Sequence, residues 1–317
     1  MKIGIDAMGG DFAPLEAVKG ASLTKQKHPH LELVLFGVKA DILRVCEDES
    51  IPSTSFEIVD CPEVIEMAEH PVKALVAKPN SSLSQGFLSL AKQNVDAFLS
   101  AGNTGAMLVG SLQFLKTVEG LDRPCLSAEI PRPDSLPGLL LDVGANADCK
   151  PEHLHKFAII GSLVYSMMHQ TKNPKVGLLN IGEESEKGNL LTKATHQLLA
   201  HTEEINFVGN VEGRDIFGEH SDVVVCDGFT GNVVIKLCEG LYYRFAKRGI
   251  EDDYLDKFNF KNYGGSLILG VNAPVVVGHG ITKAPTFVKM VELAAEAVES
   301  GLIRSIQKSM KNFTTPS

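Results

Sequence analysis

The sequence predicts an α/β protein with a largely parallel sheet and helices on both faces. Strand and helix patterns alternate through almost the whole chain. Most strand segments are continuous apolar runs, which are typical of parallel strands covered on both faces. A polar loop rich in glycine follows most strands, at the sheet edge where ligands bind in such folds.

The first half of the chain predicts four strand segments, each a short apolar run: KIGID (2–6), LELVLF (31–36), FEIVD (56–60) and VDAFLSAG (95–102). Pro14 suits the first turn of the helix that begins LEAVKG. A second helix is expected through ADILRVCE. Asn80 and Ser81 are the expected caps of a third helix, SLSQGFLSLAKQ.

The second half continues the pattern with five strand segments: GLLLDVG (138–144), KVGLLNIG (175–182), INFVGN (205–210), SDVVVCDG (221–228) and PVVVGHG (274–280). Pro151 is expected to open the helix EHLHKFAIIGSLV. Further helices are predicted in LLTKATHQLL, VVIKLCEGLYYRF and FVKMVELAAEAVE. We predict a single domain over residues 1–317, with a short helical link at about 241–262.

Composition limits the function classes. The 317 residues are 44% hydrophobic and carry a net charge of −9, without a basic tail or stripe, which argues against nucleic acid as a partner. The polar N-terminus does not resemble a signal peptide, and no apolar run reaches the roughly 20 residues of a membrane span. The six cysteines form no CxxC pair and are expected to be reduced thiols of a cytoplasmic protein.

Six loops are expected at one edge of the sheet: DAMGGD (6–11), AGNTGA (101–106), DVGANADCK (142–150), NIGEESEKGN (180–189), DGFTGN (227–232) and GHGITK (278–283). Glycine lets backbone amides converge on an oxyanion, and a helix N-terminus adds partial positive charge. Any one loop would be an ordinary turn or cap. Together they predict a site for a small anionic ligand.

Nucleotide and metal sites are not indicated. The first strand lacks GxGxxG, and GxxxxGK[ST] is absent. The spacings of His153 with His155 and of His196 with His201 do not suit a metal on one helix face. We expect no cofactor and no metal ligands.

His279 and several aspartates remain open to two interpretations. His279 either donates a proton at the site or is a packed residue at the end of a strand. Asp6, Asp11, Asp142 and Asp227 would repel an anion. They either cap helices and orient lysines or backbone amides, or hold a metal; capping and orientation are favoured.

Ten segments together resemble one family: IDAMGGDFAP, SAGNTGA, GLDRP, LLLDVGAN, KPEHL, GLLNIGEE with KGN, INFVGNVEGRD, DGFTGNV, NYGG and GHG. Between Met1 and about Ala284 their order and spacing closely resemble the bacterial phosphate acyltransferase (PlsX) family. The resemblance implies a three-layer α/β/α sandwich similar to phosphate acetyltransferase and isocitrate dehydrogenase-like proteins. It also implies transfer of a fatty acyl group from acyl carrier protein to inorganic phosphate, forming acyl phosphate for phospholipid synthesis.

The implied reaction needs a phosphate site and oxyanion stabilisation, and no protein nucleophile. We expect Asn103, Lys187 and His279 to be catalytic. The expected substrate-binding residues are Gly9, Gly10, Asp11, Thr104, Gly105, Asn146, Lys150, Asn189, Asn232 and Lys283. The resemblance further implies a homodimer, and peripheral contact with the inner face of the plasma membrane near a downstream glycerol-3-phosphate acyltransferase.

Two departures from the family pattern leave alternatives open. The link after DGFTGN is short, so LYYRFAKR (241–248) is either a solvated helix face or a contact for a membrane or acidic carrier protein. In the family, small hydroxyl residues often follow GHG, whereas ITKAP follows it here. Either Lys283 takes a phosphate-facing role, or this loop has lost such a role. The rival functions are a phosphotransacylase using acyl-coenzyme A and a non-catalytic acyl-binding regulator; a nicotinamide-dependent dehydrogenase lacks its fingerprint.

Overall fold

The computed structural model describes residues 1–259 and 264–311. The strands are β1 (Lys2–Asp6), β2 (Glu32–Gly37), β3 (Glu57–Asp60), β4 (Ala97–Ser100), β5 (Cys125–Ile130), β6 (Gly138–Leu141), β7 (Lys175–Asn180), β8 (Asn206–Glu212), β9 (Val223–Val225), β10 (Ser266–Leu269) and β11 (Val275–Val277). The α-helices are α1 (Leu15–Lys27), α2 (Lys39–Asp48), α3 (Pro71–Ala77), α4 (Ser82–Ala91), α5 (Thr104–Gly110), α6 (Pro151–His169), α7 (Leu190–Ala200), α8 (Gly228–Lys247), α9 (Asp253–Asp256), α10 (Ala284–Glu299) and α11 (Leu302–Lys311).

The chain forms two compact units. Unit 1 comprises Met1–Thr117 and Lys261–Ile303, and unit 2 comprises Val118–Phe260 and Arg304–Ser317. The prediction that residues 1–317 act as a single domain stays a prediction.

Unit 1 contains strands in the order β3-β2-β1-β4-β11-β10, parallel except for the antiparallel pair β10 and β11. The apolar strands place Ile3, Ile5 and Leu99 in the core with essentially no exposed surface. Phe36 and Phe98 meet edge to face at 5.9 Å between ring centroids. Because β1, β4 and β11 are parallel neighbours, the loops after them leave the sheet at the same edge.

Unit 2 contains strands in the order β5-β6-β9-β7-β8, parallel except for the antiparallel pair β5 and β6. Helix α6 begins with Pro151 at its first turn and buries Phe157, Ile160 and Val164. Because β6, β9 and β7 are parallel neighbours, the loops after these strands share one edge of this unit.

The predicted α/β/α class with a largely parallel sheet is confirmed. Every strand segment predicted from an apolar run contains a strand, and Ser81 caps α4 through a hydrogen bond from Ser84 N. Two helices begin inside predicted loops. Helix α5 begins at Thr104, within AGNTGA. Helix α8 begins at Gly228, so Asn232 lies on the helix and not in the predicted DGFTGN loop. The cause is a side-chain cap in each loop: Asn103 accepts Ala106 N at the start of α5, and Asp227 accepts Thr230 N at the start of α8.

None of the helices in the described ranges combines the length and apolar content needed to cross a bilayer.

Candidate active-site loops

Three of the predicted loops come together in unit 1. Gly278 N donates to Ser100 O at 2.8 Å, which aligns the ends of β11 and β4. Asp11 N donates to Gly280 O, also at 2.8 Å, which joins the loop after β1 to the loop after β11. The segments 6–11, 101–106 and 278–283 therefore lie side by side.

A buried carboxylate organises two of these loops. Asp6 accepts the Ser100 hydroxyl at 2.6 Å and Met8 N at 3.0 Å, and Ser100 Oγ in turn accepts Gly102 N at 2.9 Å. Burial raises the pKa of Asp6, although hydroxyl and backbone amide donors oppose this shift. Asp6 orients hydroxyl and amide donors, which is the first of the two interpretations left open by the sequence.

Gly9 and Gly10 lie where the loop after β1 closely approaches the other two loops. A Cβ added to Gly9 would lie 2.5 Å from Ser100 Oγ and 2.8 Å from Gly102 N. Gly10 has φ +101°, a conformation that L side chains rarely adopt, and lies close to Gly280 O. Both positions require glycine for close approach of the backbone.

The Asn103 side chain is occupied by structural contacts. Its Oδ1 caps α5 by accepting Ala106 N at 3.0 Å. Its Nδ2 lies 2.9–3.2 Å from the carbonyl oxygens of Glu66, Met67 and Glu69. Asn103 is only 6% exposed. Its side chain therefore anchors the segment 66–69 to the start of α5.

Thr104 and Gly105 form the first turn of α5. Backbone N–H groups at such a position have no carbonyl partner within the helix and carry its partial positive charge. Thr104 is exposed and Gly105 partly so. A Cβ on Gly105 would lie 2.5 Å from Pro71 Cγ, so Gly105 also permits α3 to pack here.

His279 and Lys283 complete the unit 1 group. His279 is exposed, and its Nδ1 accepts Ile281 N at 3.4 Å. Lys283 Nζ lies 3.1 Å from the centroid of the Phe12 ring and 3.2 Å from Glu16 Oε1. Lys283 is therefore held beside the loop by a cation–π contact and an ion pair.

A second buried carboxylate, Asp142, organises the loop after β6 in unit 2. It accepts hydrogen bonds of 2.8–3.2 Å from the backbone amides of Leu126, Gly144, Ala145 and Asn146 and from the Asn146 side chain. Burial raises the pKa of Asp142, and these donors oppose the shift. Asp142 thus orients backbone amides, and Asn146 holds the Asp142 carboxylate in place through two hydrogen bonds.

The start of α8 packs on this loop. Gly228 N donates to Asn146 O at 2.8 Å, and Asn232 Nδ2 donates to Val143 O at 3.3 Å. A Cβ on Gly144 would lie 3.1 Å from Asn232 Nδ2. The structure therefore places the predicted residue Asn232, on α8, against the loop that contains the predicted residue Asn146.

Lys150, Lys187 and Asn189 lie at the starts of helices in unit 2 or in the loops before them. Lys150 is exposed and directly precedes α6. Lys187 is half exposed, with Nζ 4.0 Å from Glu184 Oε2. Asn189 caps α7 by accepting Thr192 N at 2.9 Å. Both lysines are long cations at a loop edge, consistent with the type of residue predicted there.

Two buried thiols are poorly suited to nucleophilic chemistry. Burial raises the pKa of the Cys125 and Cys226 thiols well above the ordinary value, which disfavours the nucleophilic thiolate. Within residues 1–259 and 264–311, no group of three His, Cys, Asp or Glu side chains has metal-binding geometry.

Sequence reasoning missed Ser100, which links Asp6 to Gly102. Two signals pointed to it: a hydroxyl at the end of the otherwise apolar buried strand AFLS, and its place at the start of the SAGNTGA segment.

The comparisons with known proteins cover nearly the whole chain. The sequence model of the family described as "Fatty acid synthesis protein" matches residues 1–305. The phosphate acyltransferase of Dictyoglomus thermophilum is 39% identical over 333 residues, covering 99% of each chain. The phosphate acyltransferase of Desulforamulus reducens is 41% identical over 331 residues, covering 98% of each.

Two solved structures share the fold. A phosphotransacetylase from Streptococcus pyogenes aligns with a TM-score of 0.67 at 16% identity, covering 94% of each chain. A branched-chain phosphotransacylase from Enterococcus faecalis V583 aligns with a TM-score of 0.61 at 15% identity, covering 94% of this chain and 99% of the other. With the relatives of about 40% identity over the full length, the chain belongs to the fatty acid synthesis protein family of phosphate acyltransferases, known as PlsX.

Proposed function

We propose that this protein, an acyltransferase by its family, transfers a fatty acyl group from acyl carrier protein to inorganic phosphate. The product is an acyl phosphate for phospholipid synthesis. The observation that carries the proposal is the convergence of 6–11, 101–106 and 278–283 around the first turn of α5. This arrangement supplies amides and one histidine, which suits an anionic nucleophile and an oxyanion.

The reaction consists of addition and elimination at the thioester carbonyl. A phosphate oxygen attacks the carbonyl carbon, the carbonyl oxygen becomes an oxyanion, and the C–S bond then breaks to release the carrier thiolate. The amides of Gly10, Thr104 and Gly105 are proposed to bind phosphate or the oxyanion. His279 is proposed to donate a proton to the thiolate. Asn103 is proposed as a positioning residue, since its amide is occupied by Glu66, Met67 and Glu69.

The remaining predicted residues keep proposed roles. Asp11 and Lys283 are the last residues of two unit 1 loops and keep their predicted role in substrate binding, and Gly9 permits the loops to approach each other. The unit 2 candidates are Asn146, Lys150, Lys187, Asn189 and Asn232. Lys150 and Lys187 are proposed to attract an anionic substrate to the loop edge of unit 2 by their charge, and the asparagines shape the loops of that unit.

The proposed partners are acyl carrier protein, a second copy of the chain, and a membrane surface where a glycerol-3-phosphate acyltransferase consumes the product. LYYRFAKR supports contact with an acidic or lipid surface, because Arg244, Lys247 and Arg248 are exposed beside Leu241 and Tyr243. The proposed location is the cytoplasm, with peripheral contact at the inner face of the plasma membrane.

The test measures acyl phosphate formed from hexadecanoyl-acyl carrier protein and inorganic phosphate, beside hexadecanoyl-coenzyme A. We expect turnover with the carrier protein. His279→Ala is expected to lower kcat by about 10²–10⁴-fold, the usual contribution of a general acid. His220→Ala, at an exposed histidine outside the candidate loops, is the matched control.

Each other outcome selects a rival. Preference for the coenzyme A donor would favour the phosphotransacylase that uses acyl-coenzyme A. Folded protein without turnover on either donor would favour the non-catalytic acyl-binding regulator.

A further inference from the structure

A strip of exposed apolar side chains starts at the unit 1 loops. Met67, Val72 and Val76 are 43%, 50% and 70% exposed. A Cβ on Gly280 would lie 3.0 Å from Met67 Cε, so Met67 borders the loop that carries His279. Val72 and Val76 are one turn apart on α3 and share one helix face. We call these three residues the α3 strip.

The α3 strip ends at a cavity of about 380 Å³. Leu75 and Val76 of α3, Leu88 of α4 and Phe114 contribute apolar walls. Phe114 is stacked on the buried ring of Phe87, with 6.0 Å between centroids. The volume falls in the range of small-molecule pockets, about 300–1,000 Å³.

Phe114 belongs to a π-helical turn, Ser111–Leu115, that continues α5. Such turns are rare and occur frequently at functional sites. From Gly105 at the start of α5 to Phe114, the helix axis covers about 13 Å. The cavity is therefore about the length of an alkyl chain away from the amides proposed to react.

The strip is fixed to those amides by direct contacts. Gly105 packs against Pro71, the first residue of α3. The Asn103 amide holds the carbonyl groups of residues 66, 67 and 69. The segment 66–69 and the first residue of α3 therefore lie beside the first turn of α5.

We propose that the fatty acyl chain of the donor lies on the α3 strip and that its far end enters the cavity beside Leu88 and Phe114. This inference rests on the proposed function, because it takes the thioester carbonyl to react at the start of α5. The acyl chain is the occupant that fits, since the strip is continuous with the reacting loops. Covering exposed apolar side chains with methylene groups is favourable and rewards longer chains.

The first test introduces a charge without disturbing the core. Val76→Asp is expected to lower kcat/KM for hexadecanoyl-acyl carrier protein by about tenfold or more, because a carboxylate would be desolvated by the chain. Turnover of butanoyl-acyl carrier protein should change by less than about twofold, since its short chain, two methylene groups and a methyl group, ends before Val76. The control is Leu43→Asp, at an exposed leucine of α2 in the same unit.

The outcomes separate this inference from the proposed function. An unchanged chain-length profile in an active Val76→Asp enzyme would overturn the inference and leave the proposed function standing. Wild-type protein without turnover would remove the proposed function. A second measurement then still decides the inference: a hexadecanoyl-acyl carrier protein with a photoreactive chain end should label residues 75–88 or 111–115. Labelling elsewhere would contradict it, whatever the activity.

Discussion

At the scale of single residues, Gly9 shows how little space the unit 1 loops leave. An added Cβ would lie 2.6 Å from Asp6 Oδ2 as well as 2.5 Å from Ser100 Oγ. Gly9→Ala is therefore expected to break the Asp6–Ser100 hydrogen bond and to lower the free energy of unfolding by about 1–3 kcal/mol. Acyl phosphate formation should fall with it. Urea denaturation and turnover of one preparation measure both effects.

The matched control is Gly240→Ala. Gly240 lies within α8, and a Cβ there meets nothing within 4 Å. Removing a helical glycine is expected to stabilise the protein by about 0.5–1 kcal/mol. A Gly9→Ala protein as stable as the wild type would show that the loops adapt.

Asn103 permits a second comparison at this scale. Asn103→Asp keeps the acceptor that caps α5 but turns a carboxylate oxygen toward the carbonyl oxygens of Glu66, Met67 and Glu69. We expect a loss of about 1–3 kcal/mol in unfolding free energy, because three acceptors lose their donor. Chemical denaturation near neutral pH is the measurement.

Asn189→Asp supplies the control for stability. Asn189 caps α7 in the same way, and its amide nitrogen has no acceptor in the part of the chain that the structure describes. A carboxylate at that cap should be neutral or slightly stabilising. Equal losses at both positions would argue against the anchoring role of Asn103.

At the scale of elements, α1 and α10 are joined through Glu292. Burial raises the pKa of Glu292, but hydrogen bonds from Lys27, His28 and Lys289 outweigh it and lower the pKa to about 2. The carboxyl group of a glutamate in the unfolded chain has a pKa of about 4.3. The contribution of ionised Glu292 to the free energy of unfolding is therefore complete at pH values above the unfolded pKa. It is lost as the pH falls toward the folded pKa of about 2.

Glu292→Gln is accordingly expected to lower the unfolding free energy near neutral pH by about 1–3 kcal/mol. The difference from wild type should shrink as the pH falls below about 4. Denaturation curves across this range provide the measurement, with the exposed Glu299→Gln as control. A deficit that stays constant with pH would contradict the ion-pair explanation.

Apolar runs predicted the parallel strands well, because burial on both faces leaves a continuous signal in the sequence. The antiparallel strands β5 and β10 were not predicted. CLSAEI mixes Ser127 and Glu129 into its run. SLIL is as long as the predicted strand GLLL and similarly apolar, so its signal was present and was missed. Helix α11 was not predicted either, although its sequence indicates a helix: the apolar residues Leu302, Ile306 and Met310 recur every four positions, and all three are buried.

The candidate site was predictable as loops and only partly as contacts. Glycine, asparagine and threonine after apolar strands marked the segments. The Asp6–Ser100 hydrogen bond joins residues 94 positions apart, so no local pattern could indicate it. The same holds for Asn103, whose acceptors in residues 66–69 lie 34–37 positions away.

At the scale of the whole molecule, α8 leaves an apolar face without a covering. It has 20 residues, all of them described, of which only Gly228 and Gly231 are buried. Phe229, Val233, Leu237 and Leu241 recur every four residues and are 47–67% exposed. Such a continuous apolar patch commonly marks a contact surface. The predicted homodimer gives this face a partner.

We therefore expect the protein to sediment as a dimer, and Leu237→Arg to raise the dimer dissociation constant by about tenfold or more, equivalent to about 1.4 kcal/mol. An arginine buried in this contact would be an unpaired charge in an apolar surface, which adds a desolvation cost to the lost apolar area. Leu23→Arg, at an exposed leucine of α1, controls for the added charge. A wild-type monomer that binds anionic vesicles through α8 would instead assign this face to the membrane, because the same apolar and basic residues suit that surface.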